Sequence, residues 1–515
     1  MVSTDWAIAG PLRHWGAVKP GSPCLIYESV TLTWREVLDR ASRVAQGLVS
    51  AGMRPQDRIG YLGKNRPEFF EILAGASMAA GVTVPLNWRL APREILTVIN
   101  DCRARMLFVE EEFLARLDSH REQMNSVAAV IVIGAGPRDA GYAGYEAWLG
   151  EQIAEDPHVP MASTDIAFQA YTSGTTGVPK GVMFTNAAVK AIEPMASVTR
   201  ASESSVALVA MPVFHLTGSS LGILAMSLGA STVIARDADP ESLLTLIAKE
   251  HVTMTTLVPA VLKMMVESPA IEHADVTSLD TVAYAGSPIT AELLRVILGR
   301  FTCGFAQIYG MTETSGVTAL LPKDHLDPDH PERLLSAGTA LPGVSLRVVD
   351  PVTGIDVEEG GYGEVWIKAP TNMAGYWGLP VETQAALTPD GYVRSGDGGY
   401  LLGGYLYLKD RIKDMIVSGG ENVYPIEVEN LLISHAGIND VSVIGVPSPR
   451  WGETVKAIVV REPSAEPVTA SEVIAFAKAN LAGYKCPTSV EFVDELPRNP
   501  SGKVLKRVLR ERFGQ

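Results

Sequence analysis

The segment Tyr171-Thr172-Ser173-Gly174-Thr175-Thr176-Gly177-Val178-Pro179-Lys180-Gly181 gathers small residues, hydroxyls and one cation in a single loop. Small side chains leave backbone N–H groups open, hydroxyls add donors and Lys180 adds charge, a combination suited to wrapping phosphate oxygens. The loop follows an apolar, strand-like stretch at 165–170 and precedes another at 182–184. It is not a Walker A loop, because Pro179 precedes the lysine and Gly181 follows it, where a helix-opening Gly-Lys-Ser/Thr is needed. A P-loop NTPase is therefore disfavoured.

Other chemically equipped stretches follow in order. Met211-Pro212-Val213-Phe214-His215-Leu216-Thr217-Gly218 carries one histidine ahead of a small apolar run, and Ala285-Gly286-Ser287-Pro288 follows a strand-like segment. Tyr309-Gly310-Met311-Thr312-Glu313-Thr314 combines hydroxyls with a carboxylate, which a plain reading places at a helix N-terminus. Beyond these come Ser395-Gly396-Asp397, Asp410-Arg411-Ile412-Lys413, Ser418-Gly419-Gly420-Glu421-Asn422 and the turn-rich Pro497-Arg498-Asn499-Pro500-Ser501-Gly502-Lys503. Taken in this order, from about residue 20 to residue 510, the set resembles the adenylate-forming superfamily of acyl-CoA synthetases, adenylation domains and luciferases, and its acyl-CoA synthetase branch in particular.

The resemblance implies an ATP-dependent acyl-CoA ligase. A carboxylate attacks the α-phosphate of ATP, pyrophosphate leaves, and the thiol of coenzyme A then displaces AMP. Two anions meet in the first step, so cations and preorganised donors must surround the transferring phosphoryl group. By the family's pattern Lys503 reaches the α-phosphate and the substrate carboxylate, Thr312 touches phosphate, and Glu313 holds Mg²⁺ against the phosphates. Thr172, Ser173, Gly174, Thr175, Thr176, Gly177 and Lys180 would cradle the phosphates. Gly286, Ser287 and Pro288 would meet the adenine edge, with Tyr309 stacked on its face and Gly310 and Met311 in the same motif. Asp397 would accept from both ribose hydroxyls, with Arg411 near ribose and phosphate. Ser287 replaces a more frequent alanine, Ser395 stands for the usual threonine, and Gly398 follows Asp397, so the surroundings of these residues depart mildly from the pattern.

One site must serve two nucleophiles. Family members rotate a small C-terminal domain, which implies a hinge at Lys413. Gly419 and Gly420 would leave a channel for the pantetheine arm, while Arg89, Trp451 and Lys485 match weaker CoA-contact positions. His215 would gate the passage between acyl pocket and CoA tunnel, with Val213, Phe214, Thr217 and Gly218 beside it. No acidic residue occurs from Met211 to Ala235. A substrate ammonium buried there would lack a partner, which points to an apolar acid, preferably a medium- to long-chain fatty acid. The alternatives are an aryl acid of the benzoate type, or an acyl-AMP ligase that delivers to a carrier protein. A nucleotide-binding scaffold that has lost catalysis is disfavoured, since Lys503 and Glu313 are both present.

These residues need a scaffold. Apolar runs at 58–62, 82–86, 106–109 and 128–133 suit buried strands, with helical spacing at 36–50 and helices at about 67–80 and 92–100. The pattern recurs at 206–211, 231–235 and 282–285. An α/β fold follows: a large N-terminal region of two doubly wound sheets plus a β-barrel-like subdomain, then a small mobile α+β C-terminal domain. The expected domains are 1–412 and 413–515. The formal charge of −15 argues against wrapping nucleic acid. Scattered Cys24, Cys102, Cys303 and Cys486 read as reduced thiols. The first residues lack a basic segment followed by an apolar run, and no run reaches the roughly 18 residues that span a bilayer. A cytoplasmic protein without a transmembrane segment is expected. A homodimer is entertained as the assembly, with no motif that decides it.

Overall fold

The computed structural model describes residues 2–3, 8–134, 142–172, 179–287, 289–325, 327–418, 421–448, 451–464, 466–498 and 504–514. The chain divides into two compact units. The first comprises Met1–Leu334, Gly338–Ser345 and Ile367–Val393, and the second Leu335–Ala337, Leu346–Trp366 and Arg394–Gln515.

Two large sheets, beside a two-stranded one of Val2–Ser3 and Met161–Ala162, build the first unit. One runs in the order Gly375–Tyr376, Lys180–Thr185, Ile166–Thr172, Val82–Pro85, Arg58–Leu62, Met106–Glu110, Ala129–Ile133 and Ala143–Gly144. It is parallel from Ile166–Thr172 onward, and its first two pairings are antiparallel. The other has a parallel centre of Gly304–Met311, Thr281–Tyr284, Met254–Leu257, Val206–Val209, Ser231–Ile234 and Pro23–Tyr27. Antiparallel strands Ser315–Leu320 and Val30–Thr33 flank that centre. Strands buried on both faces need no polar alternation, which is why Arg58–Leu62 and Val82–Pro85 are buried at every position.

Helices fill the space between. Helix Trp34–Ser50 opens with a capping box, in which Thr33 and Glu36 satisfy each other's backbone N–H groups. Helix Pro67–Met78 is buried on every side except at Glu68, as expected of a helix apolar all round. Leu216–Leu228 is similarly apolar, and Gly222 lets it approach closely: a Cβ there would lie 2.2 Å from the Phe70 ring.

The second unit contains four strands within 345–411, ordered Ser345–Val349, Gly363–Lys368, Val393–Leu402 and Tyr405–Arg411. Its second sheet runs Glu421–Val423, Ile416–Ser418, Gly452–Arg461 and Ile438–Ser448, with Ser489–Phe492 parallel to Gly452–Arg461. Alternation splits Ile438–Ser448 between two cores. Val441 and Val443 pack with Val428, Leu432 and Val473, while Ile444 and Val446 pack with Leu496 and Leu509. All four cysteines are free thiols. Among the described residues no helix is long and apolar enough to cross a membrane.

Candidate active site

The strands flanking the glycine loop form an antiparallel hairpin closed by the pair Thr172 and Lys180. Ser173, Gly174, Thr175, Thr176 and Gly177 lie outside the described residues. The hairpin base is held from below: the Tyr171 hydroxyl donates to the Asp101 carboxylate, and Trp377 Nε1 donates to the Asp101 carbonyl at 2.9 Å. Arg58 stacks its guanidinium 3.6 Å from the Trp377 ring centroid.

Glu313 sits on a hairpin turn between strands Gly304–Met311 and Ser315–Leu320, not at a helix N-terminus. The reason is local. Thr314 Oγ1 accepts from Met311 N at 3.2 Å, and Thr314 N donates to Met311 O at 3.1 Å, which closes the turn around Thr312 and Glu313. A Cβ on Gly310 would stand 1.6 Å from the Ser315 carbonyl oxygen, so only glycine permits this bulged register. Thr371 Oγ1 donates to Thr314 O at 2.7 Å and Met373 N to Glu313 O at 2.9 Å. The Glu313 carboxylate is buried and accepts from the Tyr376 hydroxyl at 2.7 Å, while Lys180 Nζ stands 4.9 Å from the Tyr376 ring centroid.

The next strand end carries Gly286, whose φ of 88° is a conformation that favours glycine. Tyr284 pairs with Gln307, so Gly286 lies two residues past the end of one strand and Tyr309 two residues further along its parallel neighbour. Pro288 lies outside the described residues, and Ser287 is exposed. Beneath them Tyr284 hydrogen-bonds His325 Nε2 at 2.9 Å, and His325 Nδ1 meets the Leu321 carbonyl at 2.8 Å. A carbonyl only accepts, so Nδ1 carries the proton and neutral His325 accepts from the phenol. Burial lowers the His325 pKa accordingly.

His215 ends the segment ahead of helix Leu216–Leu228. Asn65, fully buried, aims that segment: its amide donates to Met211 O at 3.1 Å and Ala235 O at 3.0 Å, and its carbonyl accepts from Val213 N at 2.9 Å. The Phe214 and His215 rings lie 4.5 Å apart, and Arg89 packs 4.9 Å over Trp88 and 5.9 Å over Phe214. His215 Nε2 is buried without a hydrogen-bond partner. Burial, assisted by the Arg89 charge, pushes the His215 pKa down to about 4, so the imidazole is neutral at physiological pH. Val213 and Phe214 are buried, and a Cβ on Gly218 would stand 2.3 Å from Met211 O. Thr217 is half-buried on the first turn of the helix. A small apolar cleft beside this helix is lined by Phe168, Phe184, Val189, Leu216, Ser220 and Ile223, among others.

In the second unit Asp397 and Arg411 are cross-strand partners joined by an ion pair of 2.7 Å. Ser395 Oγ donates to Val365 O at 2.6 Å and accepts from Asp397 N at 3.0 Å, so the serine performs the local bonding expected of a threonine. Gly396, at φ 69°, donates its N–H to Glu364 at 2.9 Å. Lys413 falls within the 3₁₀ turn Ile412–Asp414. Strands Ile416–Ser418 and Glu421–Val423 pair antiparallel on either side of Gly419 and Gly420, which lie outside the described residues. Lys503 does too, although Arg498 and Val504 on either side of it form a β-bridge. Trp451 is 47% exposed. Lys485 is paired with Glu427 at 2.7 Å, and that hydrogen-bonded carboxylate raises its pKa.

Residues 12–377 match the AMP-binding enzyme family, and residues 427–503 match the AMP-binding enzyme C-terminal domain. The chain belongs to the AMP-binding enzyme family. It is similar to a fatty acid–[acyl-carrier-protein] ligase, ScoC, of Streptomyces coeruleorubidus, at 37% identity over 507 residues covering 96% of this chain and 94% of the relative. A feruloyl-CoA synthase of Amycolatopsis sp is 37% identical over 510 residues, 98% of each chain. The crystal structure of ATP-bound MatB from Rhodopseudomonas palustris superposes with a TM-score of 0.89 at 27% identity, covering 99% of both chains. This AMP-binding enzyme is accordingly an AMP-forming acid–thiol ligase of the acyl- and aryl-CoA group, working through an acyl adenylate. ATP and CoA are substrates that fit the family.

Sequence reasoning missed Tyr376, Thr371 and Asn65, which hold Glu313, its turn and the His215 segment. Ala374-Gly375-Tyr376-Trp377 offers no spacing that signals a role; its importance arises because Tyr376 pairs with Val182 at the sheet edge.

Proposed function

We propose that this AMP-binding enzyme activates a medium- to long-chain fatty acid and transfers it to coenzyme A. The observation that carries the choice of acid is the character of the small cleft beside helix Leu216–Leu228, whose lining contains no charged side chain. Such a lining suits an apolar tail and offers nothing to a substrate ammonium. Adenylation uses Lys503 at the α-phosphate, Thr312 and the 172–180 loop at the phosphates, Gly286, Ser287, Pro288, Tyr309, Gly310 and Met311 around adenine, and Asp397 with Arg411 at the ribose. Neutral His215 lies between the acid and the thiol. It positions and excludes water rather than carrying a positive charge.

Mg²⁺ fits the donor set. Among the described residues no cluster of three or more His, Cys, Asp or Glu side chains could hold a metal alone, but Mg²⁺ is commonly bound by one or two carboxylates together with substrate phosphates. Glu313 would hold it, and the ion would neutralise phosphate charge. The C-terminal residues from the Lys413 hinge onward, 413–515, move as a domain against 1–412. That motion exchanges Lys503 for the Gly419–Gly420 channel, with Arg89, Trp451 and Lys485 meeting CoA. We place the enzyme in the cytoplasm, as a homodimer that sedimentation would reveal.

An aryl acid is the second reading, supported by the 37% identity to a feruloyl-CoA synthase, and a carrier-protein acceptor is supported by the similarity to ScoC. Pyrophosphate release, measured over fatty and aryl acids with CoA, with carrier protein and with neither, separates these readings. Highest turnover with benzoate-type acids overturns the fatty-acid assignment, and release that never yields acyl-CoA overturns the acceptor.

A further inference from the structure

Tyr376 belongs to none of the motifs with a proposed role, yet both ends of its side chain meet charged groups. Its hydroxyl donates to Glu313 Oε1 at 2.7 Å, and Lys180 Nζ lies 4.9 Å from its ring centroid. The residue is only 8% exposed. Its backbone is fixed three ways: Tyr376 pairs with Val182, its N–H donates to Thr383 Oγ1 at 2.9 Å, and Trp377 N donates to Gly181 O at 2.7 Å. Residues 371–377 therefore strap the turn bearing Glu313 to the strand that leaves the glycine loop, since Thr371 and Met373 hold the same turn by its carbonyls.

We propose that Tyr376 is a positioning residue for adenylation, setting the Glu313 carboxylate and the Lys180 ammonium at a fixed separation around the triphosphate. This rests on the metal and phosphate roles proposed above for those two residues. The choice of a phenol has a physical reason. A neutral hydroxyl locks one carboxylate oxygen without cancelling its charge, so the group still serves as an anionic ligand for a hard cation. An arginine in the same place would neutralise it. The ring face attracts Lys180 only weakly, so it aims the ammonium without competing strongly with a phosphate. Partners that orient a metal-binding carboxylate typically contribute about 10–100-fold in metal affinity or activity.

Tyr376→Phe removes the hydroxyl and keeps the ring. In the full-length enzyme, calorimetric ATP binding in the presence of Mg²⁺ should weaken about 10–100-fold. AMP binding without metal, and thioester formation from supplied acyl adenylate, should stay at wild-type values. Adding Tyr376→Phe to Glu313→Gln should cost nothing further. Tyr376→Leu, which also removes the ring, should lose additional ATP affinity, and Lys180→Ala should abolish that extra loss. If Glu313→Gln weakens magnesium-dependent binding while Tyr376→Phe does not, the positioning role is overturned and the site reading stands. An unchanged Glu313→Gln overturns both. Equal loss of metal-free AMP binding in Tyr376→Phe, or full additivity of the two substitutions, overturns the positioning role.

Discussion

In the first unit Glu313 projects from a hairpin turn and meets a neutral phenol; in the second Asp397 faces Arg411 across a strand pair. Both carboxylates are well shielded from water, and each has a partner. Burying a carboxylate without one would cost several kcal/mol. The partners differ in charge, and that difference decides what each site can bind. Among the described residues Glu313 forms no ion pair, and its hydrogen-bond partner, the Tyr376 hydroxyl, is a neutral group. Asp397 is largely neutralised by Arg411 and is suited to accept hydrogen bonds from a neutral hydroxyl. In the function proposed here, the first carboxylate would serve metal and the second sugar.

The largest expected effect lies outside both carboxylates and provides their reference. Lys503→Ala should slow adenylation by about 10²–10³-fold, the typical loss of one preorganised donor at a developing anion, while thioester formation from supplied acyl adenylate persists. Pyrophosphate exchange and a single-turnover thioester assay separate the steps, and equal loss of both contradicts the role. Next come the two carboxylates. Glu313→Gln should weaken magnesium-dependent ATP binding about 10–100-fold and leave metal-free AMP binding untouched. Asp397→Asn should weaken AMP and ATP alike, by about 10-fold, because it removes the charge that accepts the ribose hydrogen bonds. Calorimetry with AMP and with MgATP reads both, and identical patterns for the two variants would dissolve the comparison.

His215 extends the contrast to a buried base with no counter-charge. Its folded pKa of about 4 lies below the usual 6.5, so the unfolded chain takes up the proton first. Its contribution to stability is complete above pH 6.5 and is lost as pH falls toward 4, by up to ~1.4 kcal/mol per pH unit. Denaturant unfolding of wild type and His215→Gln at pH 7.5 and 5 should show the wild type losing more. Parallel losses contradict a depressed pKa. Smallest is Lys485→Ala, which breaks a partly exposed pair with Glu427 and should change stability by ~0–1 kcal/mol. A raised KM for CoA with unchanged KM for ATP would support the proposed CoA contact, and an unchanged KM for CoA would remove it.

Much of this protein was legible from its residues in order. Buried parallel strands announce themselves as short β-branched runs, and Arg58–Leu62 forms where the sequence predicts it. The helix predicted over 36–50 begins two residues earlier, because Trp34 is its first residue after the Thr33 cap. The glycine loop, Tyr309-Gly310-Met311-Thr312-Glu313-Thr314 and Ser395-Gly396-Asp397 could be singled out because each is a run of consecutive residues, where residue type and spacing carry the information. The helix N-terminus considered for Glu313 is instead a hairpin turn, since the Thr314 bonds to Met311 and the bulge at Gly310 depend on a partner strand.

The sequence by itself determined the family, the order of its motifs and the absence of an acid in the apolar stretch after His215. Only tertiary structure decided that Tyr376 holds Glu313 from 63 residues away, that Asn65 aims the His215 segment from 148 away, and that Arg411 neutralises Asp397 across a strand pair. Those contacts follow from sheet order and register. Sheet order is set by the packing of whole faces, and no local pattern of residue types encodes it.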